Sequence, residues 1–136
     1  MKSFDTHIRV EYHHTDQMGI VHHSNYVKFF EFARTEWLRA AGLTYAEMER
    51  RGVMMPIVEV QVKYRQPAYY DELIRVRAIV EEMPMARMTF KYEIYGEDDR
   101  PIATGLTTLG FIDSVTRRPQ RVPSWLCEVL ERELEA

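Results

Sequence analysis

A short stretch near the amino terminus, residues 12–26, concentrates side chains that can do acid–base chemistry. It reads Tyr-His-His-Thr-Asp-Gln-Met-Gly-Ile-Val-His-His-Ser-Asn-Tyr. Asp16 offers a carboxylate for attack or general-base work, and His23 offers an imidazole that can move a proton. Asp16 and Gly19 are typical of a turn, because Asp bonds its own backbone and Gly adopts conformations that other residues avoid. A carboxylate and an imidazole held together by such a turn suit acyl transfer.

The flanking sequence predicts a strand before this stretch and a long helix after it. Apolar residues first alternate with polar ones, as in a half-buried strand: Phe4, Ile8, Val10 and Tyr12. From Asn25 to Ala41 they recur at three- and four-residue steps, as on the buried side of a helix: Tyr26, Phe29, Phe30, Ala33, Trp37, Leu38 and Ala41. Gly42 is expected to end this helix. Because the apolar stripe is wide and aromatic, the remaining chain has to wrap it.

The start of the long helix is predicted to be an anion site. Ser24 or Asn25 would be its N-cap. The first backbone N–H groups of a helix have no carbonyl partner and carry the positive end of its dipole. A developing oxyanion would therefore be stabilised there, next to Asp16 and His23.

The motif Tyr-x-x-Thr-Asp-x-x-Gly-x-Val-x-His-x-x-Tyr, followed by an aromatic helix, resembles the hotdog-fold acyl-CoA thioesterases of the 4-hydroxybenzoyl-CoA thioesterase and YbgC type. The resemblance covers nearly the whole chain. It implies that Asp16 and His23 are catalytic and that the backbone N–H of His23 polarises the thioester carbonyl. It further implies that substrate is bound by other motif residues and by the two residues between His23 and Tyr26, which gives the set Gly19, Val21, Ser24, Asn25 and Tyr26. His14 and His22 depart from the residues common in that family, which leaves the acyl group open.

Four more strands and two more helices follow the long helix. A short helix through Arg51 precedes a strand over 58–64, with Val58, Val60, Val62 and Tyr64 facing inward. Strands over 72–82, from about residue 87, and over 102–112 come next, the first two joined by a tight Met-Pro-Met connection. Gly105 and Gly110 suggest a bulge or a close backbone approach in the last strand. A helix over 124–134 ends the chain. We predict one α+β domain, residues 1–136, with the hotdog fold: an antiparallel five-stranded sheet around one long helix.

Composition excludes several classes of partner. The 136 residues have a net charge of -3, which argues against nucleic acid. No apolar run approaches the ~20 residues that span a bilayer. The single cysteine, Cys127, cannot form an intrachain disulfide and no secretion signal is evident, so we expect a cytoplasmic protein. We predict no cofactor and no metal site, because His13 and His14 would point to opposite faces of a strand.

The predicted function is hydrolysis of an acyl- or aroyl-coenzyme A, with an acyl carrier protein as a possible alternative thiol carrier. One sheet covers only one side of the long helix, so we expect at least a homodimer, and the resemblance also implies homotetramers. A non-catalytic acyl-CoA sensor on the same fold is an alternative, against which Asp16 in its motif argues. A hydratase or dehydratase is a second alternative, but those enzymes usually carry their His and Asp on a different segment.

Overall fold

Alternating apolar residues build one sheet in the computed structural model, which describes residues 1–135. Its five strands are β1 (Ser3–Arg9), β3 (Ile57–Tyr64), β4 (Leu73–Ile79), β5 (Arg87–Tyr95) and β6 (Pro101–Gly110). All neighbours are antiparallel and the order is β1-β4-β5-β6-β3. Two short strands, β2 (Val53–Met54) and β7 (Ile112–Asp113), pair with each other. The helices are α1 (Asn25–Ala40), α2 (Tyr45–Arg50) and α3 (Ser124–Glu135). Ala136 lies outside the described residues.

Helix α1 packs its aromatic side chains against the concave face of the sheet. Phe30 and Trp37 are fully buried. The Phe30 ring stacks on Tyr92 of β5 with centroids 4.3 Å apart, and Trp37 meets Phe90 edge to face at 5.9 Å. Gly42 has φ +93°, the left-handed conformation expected at the helix end. The prediction of an α+β hotdog fold, with a sheet around one long helix, is therefore confirmed. None of the helices within residues 1–135 is both long and apolar enough to cross a membrane.

The first strand is shorter than its alternation predicts. β1 ends at Arg9, and Tyr12–His14 form a single 3-10 turn instead of continuing the strand. The Glu11 N–H donates to Nδ1 of His14 at 2.9 Å, which closes this turn. Tyr12, expected to face inward, is 79% exposed. The premise that His13 and His14 lie on opposite faces of a strand was also wrong, since their rings lie 4.2 Å apart on the turn.

The other strands match the sequence in type and differ at their ends. β4 and β6 are shorter than the predicted 72–82 and 102–112, because the chain leaves the sheet after Ile79 and Gly110. β2 and β7 were not predicted, as two-residue strands carry no periodic signal. The inward face of β4 and β5 is buried as expected: Ile74, Val76, Ala78, Met88, Phe90, Tyr92 and Ile94.

Strand β3 contradicts the expected burial. It lies at an edge of the sheet, and most of its residues are exposed. Val60 and Tyr64 share the helix-side face with Gly105, yet they are 37% and 53% exposed. A bulge between Ile57 and Glu59 displaces Val58, which is 47% exposed. An apolar edge strand is therefore left open in the single chain.

Gly105 marks the close approach that its sequence suggested. Bulges lie at other positions, one in β3 at Val58 and one in β6 at Ile102. A Cβ on Gly105 would lie 2.5 Å from the Gln61 carbonyl oxygen and 2.5 Å from Cε2 of Phe30. Both neighbours are fixed, one by the strand and the other by the α1 core. A Cβ on Gly110 would meet nothing closer than Val58 Cγ2 at 3.6 Å, which is ordinary contact.

Gly105→Ala is expected to destabilise the fold, because it forces α1 away from the sheet. Overpacking of this kind typically lowers the free energy of unfolding by about 1–3 kcal/mol. Urea denaturation measures the change, and Gly110→Ala is the matched control. Equal stability of the two variants would contradict the packing argument.

A bidentate ion pair joins β1 to β4 on the outer face of the sheet. Nε and Nη2 of Arg77 donate to the two carboxylate oxygens of Asp5 at 2.8 and 3.1 Å. This hydrogen bonding to Arg77 lowers the pKa of Asp5 below its ordinary value of 3.8. The pair therefore stabilises the protein above about pH 4, and the stabilisation is lost as pH falls through the depressed pKa.

Asp5→Asn is expected to cost up to about 1 kcal/mol of unfolding free energy near pH 7, since both partners are partly solvated. The difference from the unsubstituted protein should vanish at an acid pH below the depressed pKa, where Asp5 is protonated in both states. Urea denaturation at the two pH values measures it. Glu81→Gln, which breaks a longer contact of 3.4 Å to Lys91, is the control and should change stability less. A pH-independent effect of Asp5→Asn would rule out the ion pair as its cause.

Candidate active site

A cleft of about 320 Å³ opens where the turn after β1, the start of α1 and the end of β3 meet. Three ionisable side chains from the loop and the helix line it, namely Asp16, His23 and Tyr26. The rest of its wall is mainly apolar: Met18, Ile20, Val21, Tyr64, Arg65, Gln66 and Pro67. The cleft thus joins a carboxylate and an imidazole to a surface that can hold an apolar group.

Asp16 is held by a tight turn of its own making. Its Oδ1 accepts the Met18 N–H at 2.8 Å, and its carbonyl accepts the Gly19 N–H at 3.0 Å. Gly19 has φ +76°, so the turn needs the conformational freedom of glycine there. The Asp16 N–H donates to Ile20 at 2.9 Å and closes the loop. This turn fixes the carboxylate at the cleft wall and leaves its second oxygen available.

The segment just before α1 supplies one backbone donor. The His23 N–H finds no hydrogen-bond acceptor within residues 1–135. Ser24 occupies the N-cap position, but its side chain caps no helix amide. Its Oγ lies 2.9 Å from Nδ1 of His22 instead. Ser24 is therefore the N-cap residue, as predicted, but its side chain does not cap the helix. Its N–H donates to Nδ1 of His22 at 3.2 Å, and the N–H groups of Asn25 and Tyr26 donate to backbone carbonyls of the preceding segment.

Asn25 is the first residue of α1 and is buried. Its side-chain Nδ2 donates to the His14 carbonyl at 2.8 Å and to the His22 carbonyl at 3.4 Å. Its backbone N–H also donates to His22, at 3.0 Å. Asn25 is thus engaged with the backbone rather than lining the cleft.

Burial changes the titration of Tyr26, which lines the cleft, and of His14, which lies outside it. It raises the pKa of Tyr26 to about 12, so this tyrosine stays neutral at physiological pH. It lowers the pKa of His14, whose ring meets Phe29 edge to face at 5.1 Å. A neutral His14 keeps Nδ1 free to accept the Glu11 N–H, and this preserves the 3-10 turn before Asp16.

Tyr64 is a member of the site that the sequence did not single out. Its hydroxyl donates to the His23 carbonyl at 3.1 Å, and its ring packs edge to face on Tyr26 at 5.1 Å. The alternation of β3 placed Tyr64 on the helix side, but its proximity to α1 depends on sheet register. Arg65 and Pro67 reach the cleft in the same way.

The structure brings together only part of the predicted site. Asp16, Val21, His23 and Tyr26 line the cleft. Among the remaining predicted substrate contacts, Gly19 shapes the turn, whereas Ser24 and Asn25 interact with neighbouring backbone or side chains. Their roles as substrate contacts, and those of Asp16 and His23 in catalysis, stay predictions. Within residues 1–135, no three His, Cys, Asp or Glu side chains group as metal ligands would.

Comparison with known proteins places this geometry in a family. The sequence profile of the thioesterase-like superfamily matches residues 10–130. The chain is 33% identical to the acyl-CoA thioesterase YbgC of Haemophilus influenzae over 92 residues, covering 67% of this chain and 68% of that protein. It is 26% identical to the acyl-CoA thioester hydrolase YbgC of Escherichia coli O6:H1 over 116 residues, covering 85% of this chain and 87% of that protein.

A solved structure agrees with these sequence matches. The DHNA-CoA thioesterase of Staphylococcus aureus superposes with a TM-score of 0.90 at 33% sequence identity, covering 99% of this chain and 93% of that one. The match therefore includes the sheet, α1 and the segment that carries the cleft. The chain belongs to the thioesterase-like superfamily.

Proposed function

We propose that the protein hydrolyses the thioester of an acyl- or aroyl-coenzyme A to the free acid and the thiol. The observation that carries the proposal is the shared cleft, in which the Asp16 carboxylate and His23, whose backbone N–H lacks an acceptor within residues 1–135, lie together. Membership of the thioesterase-like superfamily supports it, and so do the acyl-CoA thioesterases among its relatives.

The reaction begins with the thioester carbonyl oxygen accepting a hydrogen bond from the His23 N–H. This oxygen gains negative charge as the tetrahedral species forms, so the donor binds the transition state more strongly than the substrate. The partial positive charge at the start of α1 acts in the same direction. The His23 imidazole, exposed at the same end of the cleft, would orient the thioester or deliver a proton to the departing thiolate.

The Asp16 carboxylate acts in the hydrolysis by one of two routes. As a general base, its carboxylate removes a proton from water. The water oxygen attacks the carbonyl carbon, and the tetrahedral species then expels the thiolate. As a nucleophile, it attacks the carbon itself, releases the thiolate and leaves a mixed anhydride that water then hydrolyses. Single-turnover hydrolysis in labelled water tests the second route, since label enters the Asp16 carboxyl only if water opens an anhydride at the Asp16 carbon.

The cleft surface suits a thioester with an apolar acyl group and an anionic carrier. Met18, Ile20 and Val21 form an apolar wall, whereas Arg65 adds a cation. Coenzyme A carries phosphates that a guanidinium binds well. An acyl carrier protein remains the alternative thiol carrier, and paired assays with acyl-CoA and acyl-carrier-protein substrates separate the two.

We also propose a cytoplasmic location, consistent with the free thiol of Cys127.

The active unit is proposed to be a homodimer formed through β3, with a homotetramer as its higher assembly. The open edge presents unpaired backbone groups and exposed apolar side chains, a combination that a second copy of the chain would cover. Tyr64 belongs both to this edge and to the cleft. A partner strand on β3 would therefore close the open side of the cleft as well as the core.

Asp16→Asn is expected to reduce kcat/KM on an acyl-CoA by about 10²–10⁴-fold, because the amide neither attacks nor accepts a proton. Thiol release is followed spectrophotometrically across a panel of aliphatic and aromatic acyl-CoAs. Asp99→Asn, a change on an exposed carboxylate paired with Arg75, is the matched control and should keep full activity.

The panel also tests the alternatives. Tight binding of acyl-CoA without turnover by the unsubstituted protein would favour a sensor and reject hydrolysis. Turnover that survives Asp16→Asn would reject the carboxylate role while keeping the thioesterase assignment.

Val60→Lys is expected to disrupt the dimer, since it places a charge on the apolar face of the β3 edge. Light scattering should report at least twice the 16.2 kDa chain mass for the unsubstituted protein and 16.2 kDa for the variant. Val115→Lys, at a valine that is 87% exposed and lies outside β3, is the control. A monomeric unsubstituted protein, or an unchanged mass for Val60→Lys, would reject this interface.

A further inference from the structure

Asn25 links the two chain segments that carry the proposed chemistry. Only 6% of the residue is exposed. Its side-chain amide has two N–H donors, and Nδ2 contacts the carbonyl of His14 at 2.8 Å and that of His22 at 3.4 Å. His14 leads into the Asp16 turn, while His22 precedes the oxyanion donor. One side chain therefore sets the spacing between carboxylate and donor.

The His22 carbonyl accepts the backbone N–H of Asn25 at 3.0 Å as well as its Nδ2 at 3.4 Å, and its orientation fixes the direction of the His23 N–H. These two groups belong to one peptide unit, and residues 1–135 contain no cis peptide bond. In a planar trans peptide the C=O and the N–H point in opposite directions. Because Asn25 draws the His22 oxygen toward the first turn of α1, the His23 N–H is directed away from that turn. His23 is also a cleft residue.

The contact to His14 fixes the base of the Asp16 turn. The same His14 carbonyl accepts the His22 N–H at 2.8 Å, so the two segments are clamped at one oxygen. Thr15 then forms a bridge with Val21, and Asp16 follows directly. Loss of the Asn25 donors would leave the His14 oxygen with a single partner and let the segments shift.

We propose that Asn25 is a positioning residue for thioester hydrolysis, which holds the His23 N–H and the Asp16 carboxylate in reactive geometry without touching substrate. This inference rests on the proposed function. Displacement of either group misaligns the transition state more than the bound substrate, so the rate constant should fall rather than the affinity.

Asn25→Asp tests the inference, because it keeps the shape of the side chain and removes both donors. A carboxylate is also tolerated in the first turn of a helix, so the change does not by itself oppose α1. With an acyl-CoA that the unsubstituted protein hydrolyses, kcat is expected to fall about 100-fold, as for loss of an oxyanion donor, with KM within about threefold. Asn25→Ser, which retains one donor, should give an intermediate kcat and serves if Asn25→Asp does not fold.

Two comparisons separate positioning from a general loss of stability. Thr107→Val removes the 2.6 Å hydrogen bond to Tyr92, which is buried and lies outside the cleft, and should leave kcat unchanged even if the Tm falls. In the second comparison, Asp16→Asn is combined with Asn25→Asp. The double variant should be no slower than Asp16→Asn alone, because both changes disable one catalytic unit.

The outcomes distinguish failure of the inference from failure of the proposed function. An unsubstituted protein inactive on every acyl-CoA would remove the proposed function, and the inference with it. If that protein is active and Asp16→Asn is not, a kcat for Asn25→Asp within threefold overturns the inference alone. A change confined to KM, or losses that multiply in the double variant, would also overturn it.

Discussion

The dominant constraint on this structure is the need to cover an aromatic helix. Phe30 and Trp37 lose contact with water only where a sheet lies directly beneath them, and the parallel stacking of Phe30 on Tyr92 defines how closely it lies. Gly105 permits that distance because it adds no side chain between strand and helix. This packing sets the position of α1 relative to the sheet, and it therefore also sets where the first turn of α1 lies. The cleft is therefore a consequence of the core.

The site uses backbone geometry more than unusual side chains. Asp16 lies in a turn that depends on Gly19, and the donor at His23 is an ordinary amide with no acceptor among residues 1–135. A side-chain cap from Ser24 would have consumed donors at this end of the helix. Instead, Ser24 turns to His22, and Asn25 bonds carbonyls rather than amides. The amides of Asn25 and Tyr26 donate to carbonyls of the preceding segment, so the donor proposed for the site is the His23 N–H just before the helix.

Periodicity predicted the elements well, because each buries one face along its whole length. The apolar positions of α1, β4 and β5 were identified for that reason, and the motif placed Asp16, His23 and Tyr26 at the strand-to-helix turn. The prediction for Tyr12 was wrong, because the alternation of apolar residues continues beyond the end of β1. There the Glu11 N–H donates to His14 and closes a 3-10 turn. The spacing of polar residues also gave no sign that Arg34 would be buried against Tyr45. The contribution of Tyr64 depends on strand register, which a local pattern does not contain.

The exposed face of β3 explains how one strand serves assembly and function together. Its helix-side residues are apolar, whereas Glu59, Gln61 and Lys63 are polar and occupy the opposite face. A partner that pairs with this edge would bury the apolar face and leave the polar face in water, so pairing in one orientation is favoured over indiscriminate edge association. Tyr64 stands at the end of that face, with its hydroxyl on the His23 carbonyl. The interaction that completes the core of the proposed dimer would therefore also hold the start of α1, and so couple assembly to the geometry of the cleft.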